Sequence, residues 1–183
     1  MKIKTNIKWL IKIVLISVAA SMAFTLASTE LLGRAGYGVA FAALAVFIVI
    51  GIIFDIIGVA VTAAQEAPFH SMAAHHERGA SESLRLIRNA DKTASVCNDI
   101  VGDVSGIVSG ATAALIAARL MKNHSTGSIL LPLLISGAVT GLMIAGKAVG
   151  KTLALNKSTK IILGAGKIIN SLQLKPHSKK RGL

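Results

Sequence analysis

The sequence has few of the residues that build catalytic and nucleic-acid-binding sites. Aromatic residues make up only 4% of the 183 positions, too few for a platform on which bases could stack. A single cysteine, Cys97, excludes an internal disulfide framework and any metal site built from several cysteines, and favours a small packing residue. Acidic residues are also scarce, eight against 20 Lys and Arg, which gives a formal net charge of +12. We expect no nucleic-acid partner, so this positive charge needs another explanation.

Apolar residues dominate the chain instead. Hydrophobic residues account for 53% and charged residues for 15%, and the mean hydropathy is +0.67, which a soluble domain of this size does not reach. Crossing a hydrocarbon layer of about 30 Å takes about 20 helical residues. Four stretches are long enough, near 9–28, 36–64, 94–118 and 128–154. The sequence therefore predicts an all-α, polytopic membrane protein with about four transmembrane helices.

The first apolar stretch follows the basic residues MKIKTNIK, which is also the layout of a signal peptide. Val18 to Ala20 would be its cleavage site. We favour an uncleaved span, because the apolar run continues past that site. Residues 1–34 are thus predicted to form an N-terminal transmembrane helix and an outer loop.

The positive charges lie mainly on one predicted side of the membrane. With the N-terminus in the cytoplasm, 17 of the 20 Lys and Arg residues fall inside, and only Arg34, Arg119 and Lys122 fall outside. Short inner loops of membrane proteins carry this excess of positive charge. We expect a multi-pass protein of the inner membrane with both termini cytoplasmic.

Two segments are predicted to lie at the inner membrane surface. Residues 65–92 have helical spacing interrupted by Gly79, which predicts a hairpin of two short amphipathic helices. Residues 157–183 begin as a basic amphipathic helix and end in a basic tail. The apolar stripe of that helix comprises Ile161, Ala165, Ile168, Ile169 and Leu172. A helix of this kind binds anionic lipid, and the tail is also suited to a protein partner.

Three acidic residues lie within the predicted spans. A charge near the centre of a membrane helix costs about 2.5–3.5 kcal/mol, so Asp55, Asp99 and Asp103 need a reason to be there. Asp99 and Asp103 share a helical face that Asn98 adjoins, and Thr62 shares the face of Asp55. Carboxylate, amide and hydroxyl oxygens suit hard cations such as Mg²⁺, Ca²⁺ or Mn²⁺. The pattern is consistent with an ion or proton pathway.

A structural explanation of the same acids stays open. Lys147 and Lys151 in the fourth span could neutralise most of their charge without an ion. Glycines at small-xxx-small spacing favour tight packing of helices in both the third and fourth spans. They are Gly102, Gly106, Gly110, Gly137, Gly141, Gly146 and Gly150.

Four stretches, in order, carry a resemblance to a known family: GVAVTAAQEA, HERGASESLRLIRNADK, VCNDIVGD and AGKAVGKTLALNKSTKII. Over about residues 38–172 the chain resembles the transmembrane domain of the CNNM/CorC (cyclin M) magnesium transporters. The last stretch is the best local match, through Gly146, Lys151, Leu153 and Ala154. The resemblance implies a homodimer and a Mg²⁺ site between three helices, at Thr62, Asn98 or Asp99 and their neighbours. Residues 35–156 would form the three-span domain.

The chain departs from this family at the centre of the site. Lys147 stands where the family has Glu, and Gly150 where it has Pro. Most serines of the first motif are absent, no CBS pair follows, and an extra span precedes the domain. A lysine offers hydrogen-bond donors only, so it opposes a cation at that position and would instead pair with an acid.

Two functions therefore remain. The first is binding or transport of a divalent cation, most readily Mg²⁺, with Lys147 and Lys151 as gating or charge partners. Its metal ligands would be Asp55, Thr62, Asn98, Asp99 and Asp103. The alternative is a non-transporting membrane scaffold or regulatory subunit whose buried acids Lys147 and Lys151 neutralise. No nucleophile has a convincing base nearby in sequence, so we expect no enzyme.

Overall fold

The computed structural model describes residues 7–123 and 130–173, and all regular structure within these ranges is helical. The helices are α1 (Ile7–Arg34), α2 (Tyr37–Ala63), α3 (Glu66–Ala74), α4 (Ala80–Arg88), α5 (Ala90–Ser95), a π-helical segment (Val96–Gly102), α6 (Asp103–Asn123), α7 (Leu130–Asn156) and α8 (Ser158–Gln173). The all-α prediction is confirmed. The predicted basic tail after residue 173 and the first six residues lie outside the described residues.

Four helical stretches are long and apolar enough to cross a membrane. They run over Ile11–Glu30, Tyr37–Ala63, Ala90–Lys122 and Pro132–Asn156. These agree with the predicted spans to within a few residues, except that the third is longer because α5, the π-helical segment and α6 follow one another without a break. The chain is thus a membrane protein by the length and composition of its helices.

Contacts at the two ends of the bundle fix how its helices run. At one end the ammonium of Lys92 lies 5.5 Å from the ring centroid of Trp9. At the other end the guanidinium of Arg119 donates a hydrogen bond of 2.8 Å to the carbonyl of Ala35. The start of α1 therefore lies at the same end as α3, α4 and α8. We call this the hairpin end.

The helices pack through two apolar clusters. The buried members of the cluster near the hairpin end are Ala60, Val61, Phe69, Ile87, Ala154 and Ile162. The second cluster lies further along the bundle, and its buried members are Ala40, Leu44, Ile48 and Ile116. Gly146 and Gly150 bring α7 close to α2, because a Cβ at either position would overlap Ile52 or Ile56. Close packing is thereby confirmed for these two glycines. Gly110, Gly137 and Gly141 have open space beside them among the described residues.

Helix α8 packs across α4 at a glycine contact. Gly79 has a φ of +85°, in the left-handed region that favours glycine, and an added Cβ there would overlap the backbone of Gly166 and Lys167. The buried hydroxyl of Ser83 lies within hydrogen-bond distance of the carbonyls of Gly79 and Ile162, at 2.8 and 3.0 Å, and shares its one proton between them. These contacts bury one face of α8. This face contains Ile162 and Gly166, which do not belong to the apolar stripe predicted from the sequence.

The outer side of α8 remains apolar. Ile168 and Leu172, two members of the predicted stripe, are 63% and 70% exposed. They lie on a different side of the helix from the buried Ile162. The expectation that α8 presents an apolar stripe therefore holds for these residues, although α8 also has a protein-packed face.

Candidate functional site

The third membrane helix changes its geometry at the motif that contains the intramembrane acids. Residues Val96–Gly102 form a π-helical segment between α5 and α6. Such segments are rare and frequently occur at functional sites. Asn98 and Gly102 face α2 and α7, where they lie beside Gly58 and the ammonium of Lys147. Asp99, in contrast, faces α1. One segment therefore divides its polar groups between two sites.

The first site is an ion pair between α2 and α7. The ammonium nitrogen of Lys147 lies 3.7 Å from Oδ1 of Asp55, and the two side chains are 31% and 18% exposed. Opposite charges at this distance offset much of each other's cost inside an apolar bundle. Among the residues that the structure describes, this is the only ion pair that joins two of the four long helices. We call Asp55, Asn98 and Lys147 the charged centre.

Asn98 contributes an oxygen that has no donor within the described residues. Its Oδ1 is buried and makes no hydrogen bond there. The amide lies against Gly58 of α2, which has no side chain to fill that space. An unpaired buried carbonyl costs free energy, so such an atom is normally retained for a reason. It lies about one turn before Gly102, which faces the Lys147 ammonium.

The second site is a groove between α1 and the third membrane helix. Asp99 and Asp103 line it together with Ser17 and Ser21, and its volume is about 350 Å³. Both carboxylates are exposed, and neither has an ion-pair partner within 4 Å in the described part of the chain. We call these four residues the acidic groove. The predicted shared face of Asp99 and Asp103 is confirmed.

The remaining predicted residues lie outside both sites. The exposed hydroxyl of Thr62 donates to the carbonyl of Val59 in its own helix, at 2.8 Å. Lys151 is exposed on α7 and makes no ion pair with a described residue. Within 7–123 and 130–173, no three His, Cys, Asp or Glu side chains are grouped closely enough to hold a metal ion. The predicted ligand set is therefore divided over the molecule.

Sequence reasoning missed three residues of these sites. Ser17 and Ser21 have the i, i+4 spacing that puts them on one helical face, and this signal could have identified them. Gly58 has no such signal, because its role depends on the helix that approaches it. Its contact with Asn98 appears only in the packed bundle.

Comparisons with models of protein families, with curated proteins and with solved structures found no match for this chain. The likeness to the CNNM/CorC transmembrane domain therefore remains a hypothesis carried by the sequence motifs. The charged centre and the acidic groove are the features of this chain that bear on its function.

Proposed function

We propose that this protein is a non-transporting membrane scaffold or regulatory subunit, held together by the ion pair between Lys147 and Asp55. The distance of 3.7 Å between the two charged groups is the observation that carries the proposal. A divalent cation would need the oxygens of Asp55 as ligands, and the lysine ammonium already faces one of them. Because that ammonium offers donors and a positive charge, it repels a metal ion instead of binding it.

The charged centre also fits a structural role through its position. It joins α2 to α7. The two helices approach closely there, because Gly146 and Gly150 of α7 leave room for Ile52 and Ile56 of α2. An ion pair surrounded by such packing specifies which helix faces which, as polar groups do in other membrane bundles. The apolar surface of the bundle is then left for lipid or for a partner protein. In this proposal the basic tail supplies a further contact for either.

A double-mutant cycle between Lys147 and Asp55 tests this function. Lys147→Ala and Asp55→Ala should each lower the free energy of unfolding, by about 3 kcal/mol if the remaining charge stays buried. The double variant should recover most of that loss. Unfolding by SDS in detergent micelles measures all three, and Lys151→Ala serves as the control because its side chain is exposed on the same helix. Simple additivity of the two single effects would refute the role of the pair.

A second candidate function, divalent-cation binding, is favoured by the acidic groove. Asp99 and Asp103 are separate from the lysines and share the groove with two serine hydroxyls. These are oxygen ligands that Mg²⁺ accepts, with water completing its coordination. Asp55, Thr62 and Asn98 would not contribute, so this candidate keeps only part of the ligand set expected from the sequence.

Thermal unfolding in detergent with and without millimolar Mg²⁺, Mn²⁺ and Ca²⁺ tests the second candidate. A ligand at about 100 times its dissociation constant stabilises by about 2.7 kcal/mol. The shift should disappear in Asp99→Asn and Asp103→Asn and persist in Asp55→Asn. If no metal raises the melting temperature of the wild type, the groove is not a cation site.

Both candidates share one cellular setting. We place the protein in the inner membrane with both termini in the cytoplasm, on the strength of the charge distribution. A homodimer follows from the family resemblance, and crosslinking of the purified protein would test it. Membrane lipids are partners in either case.

A further inference from the structure

A cavity of about 430 Å³ lies at the hairpin end, between the loop that joins α3 to α4 and the outer part of α8. Polar and charged side chains line it: Glu77, Arg78, Lys167, Asn170 and Ser171. None of these residues belongs to the charged centre or to the acidic groove. We propose that this cavity binds the phosphate of an anionic membrane phospholipid, with Arg78 and Lys167 contacting the phosphate oxygens.

The fold builds this cavity through the glycine contact between α4 and α8. Gly79 and Gly166 approach so closely that neither could carry a side chain. That approach brings Arg78, the residue before Gly79, next to Lys167, the residue after Gly166. Two cations from segments 89 positions apart therefore line one cavity. The hydrogen bond of 2.8 Å from Asn170 to Glu82 holds the next turn of α8 in place.

The charged side chains that line the cavity, two cations and one carboxylate, give it a net positive charge. The exposed Arg78 has no ion-pair partner among the residues the structure describes, so its five guanidinium donors are open to a phosphate. Lys167 lies 3.6 Å from Glu77, and the two side chains are 51% and 42% exposed. Ion pairs with this exposure contribute little to stability, so a phosphate can compete for the lysine. The carboxylate of Glu77 repels an anion, so removing it should strengthen phosphate binding.

The position of the cavity points to a lipid as the source of the phosphate. Helix α7 ends at Asn156 and α8 begins at Ser158, so α8 follows directly after the apolar span and packs on α4 at that end of the bundle. Ile168 and Leu172 each directly follow a cavity residue in sequence and are exposed on α8. When these two side chains insert between acyl chains, Lys167 and Ser171 lie at the level of the headgroups. A phospholipid satisfies both the apolar and the charged surface.

Binding of phosphatidylglycerol to the full-length protein in detergent tests the proposal, with phosphatidylcholine of the same acyl chains as the reference. The titration is followed by thermal unfolding in 0.5 M NaCl, where long-range attraction between the basic surface and the lipid is screened. Arg78→Gln and Lys167→Gln should each weaken phosphatidylglycerol binding by about fivefold and weaken phosphatidylcholine binding less, because the choline ammonium already neutralises the charge of that phosphate. Lys160→Gln is the matched control on α8, because Lys160 is exposed and does not line the cavity.

Glu77→Gln gives the opposite sign and separates recognition from a loss of folding. Removing that carboxylate should tighten phosphatidylglycerol binding, since Lys167 loses its competitor. Equal losses in Lys160→Gln and in the two cavity variants would show a diffuse surface attraction and overturn the site. Soluble glycerol 3-phosphate is the remaining arm. If it stabilises the protein as well as phosphatidylglycerol does, the ligand is a soluble phosphate and the lipid assignment is wrong.

Discussion

The carboxamide of Asn98 lies against Gly58, in the space that any side chain at position 58 would occupy. The contact joins α2 to the π-helical segment beside the ion pair of Lys147 and Asp55. Gly58 and the Oδ1 atom of Asn98 are both buried, so a side chain at position 58 would have to displace the amide. This glycine therefore determines how closely α2 and the third membrane helix approach.

Gly58→Ala should destabilise the protein, because the new methyl group overlaps the Asn98 amide. Overpacking of this kind costs about 1–3 kcal/mol, more than alanine gains in helix propensity. SDS-induced unfolding measures the loss. Gly38→Ala on the same helix is the control, since nothing described lies within 4 Å of its added Cβ. Combining Gly58→Ala with Asn98→Ala should restore stability, and a failure to do so would mean that another contact is responsible.

Gly166→Ala should detach α8 from α4. Its methyl group would meet the carbonyl of Gly79 and the hydroxyl of Ser83, which are buried and hydrogen-bonded. The expected result is faster tryptic cleavage after Lys160 and Lys167, together with a lower melting temperature. Gly164→Ala on the same helix has open space around it and should behave like the wild type. Identical cleavage rates for the two variants would contradict the packing described for α8.

Cysteine labelling should place the two ends of the bundle on opposite sides of the membrane. In a Cys97→Ala background, Gly36→Cys labels the turn between α1 and α2, and Ser81→Cys labels the exposed side of α4. A membrane-impermeant maleimide should modify position 36 in intact cells and position 81 only after permeabilisation. This orientation is predicted because it places 17 of the 20 basic residues on the cytoplasmic side. The reverse pattern would mean that the predicted orientation is wrong.

The native Cys97 should report on local opening of the π-helical segment. Cys97 is only 7% exposed, so a membrane-permeant maleimide reaches its thiol only when the segment opens. We expect labelling at least about tenfold slower than for Val96→Cys in a Cys97→Ala background, since Val96 is 39% exposed. Asp55→Asn should speed the reaction of Cys97, because losing the ion pair loosens the neighbouring segment. Equal rates for Cys97 and for position 96 would show that the segment is open in the native state.

Several parts of the fold could be predicted because they depend on local composition. The four apolar runs predicted four long helices, and the break at Gly79 predicted the two helices of the hairpin. Hydrophobic length and glycine conformation act within a few residues of chain, so no tertiary knowledge was needed. Close packing at Gly146 and Gly150 was also predicted from the spacing of small residues, but the identity of α2 as the neighbouring helix was not.

The candidate site was predicted less well, because its residues meet only through helix rotation. All three intramembrane acids were grouped into one set of ligands. In the structure Asp55 pairs with Lys147, whereas Asp99 and Asp103 face α1. The π-helical segment contributes to this division, since it changes the angle between successive side chains in a way that an ideal helical wheel does not represent.

The sequence by itself determined that this is an all-helical membrane protein with basic residues concentrated beyond the ends of its spans. Hydropathy and charge are sums over neighbouring residues, and they are therefore readable in one dimension. Only the tertiary structure decided which charges neutralise each other, which glycines carry a contact, and that Arg78 and Lys167 share a cavity. Each of these depends on the rotation and crossing of two helices, which packing between distant segments sets and no local pattern encodes.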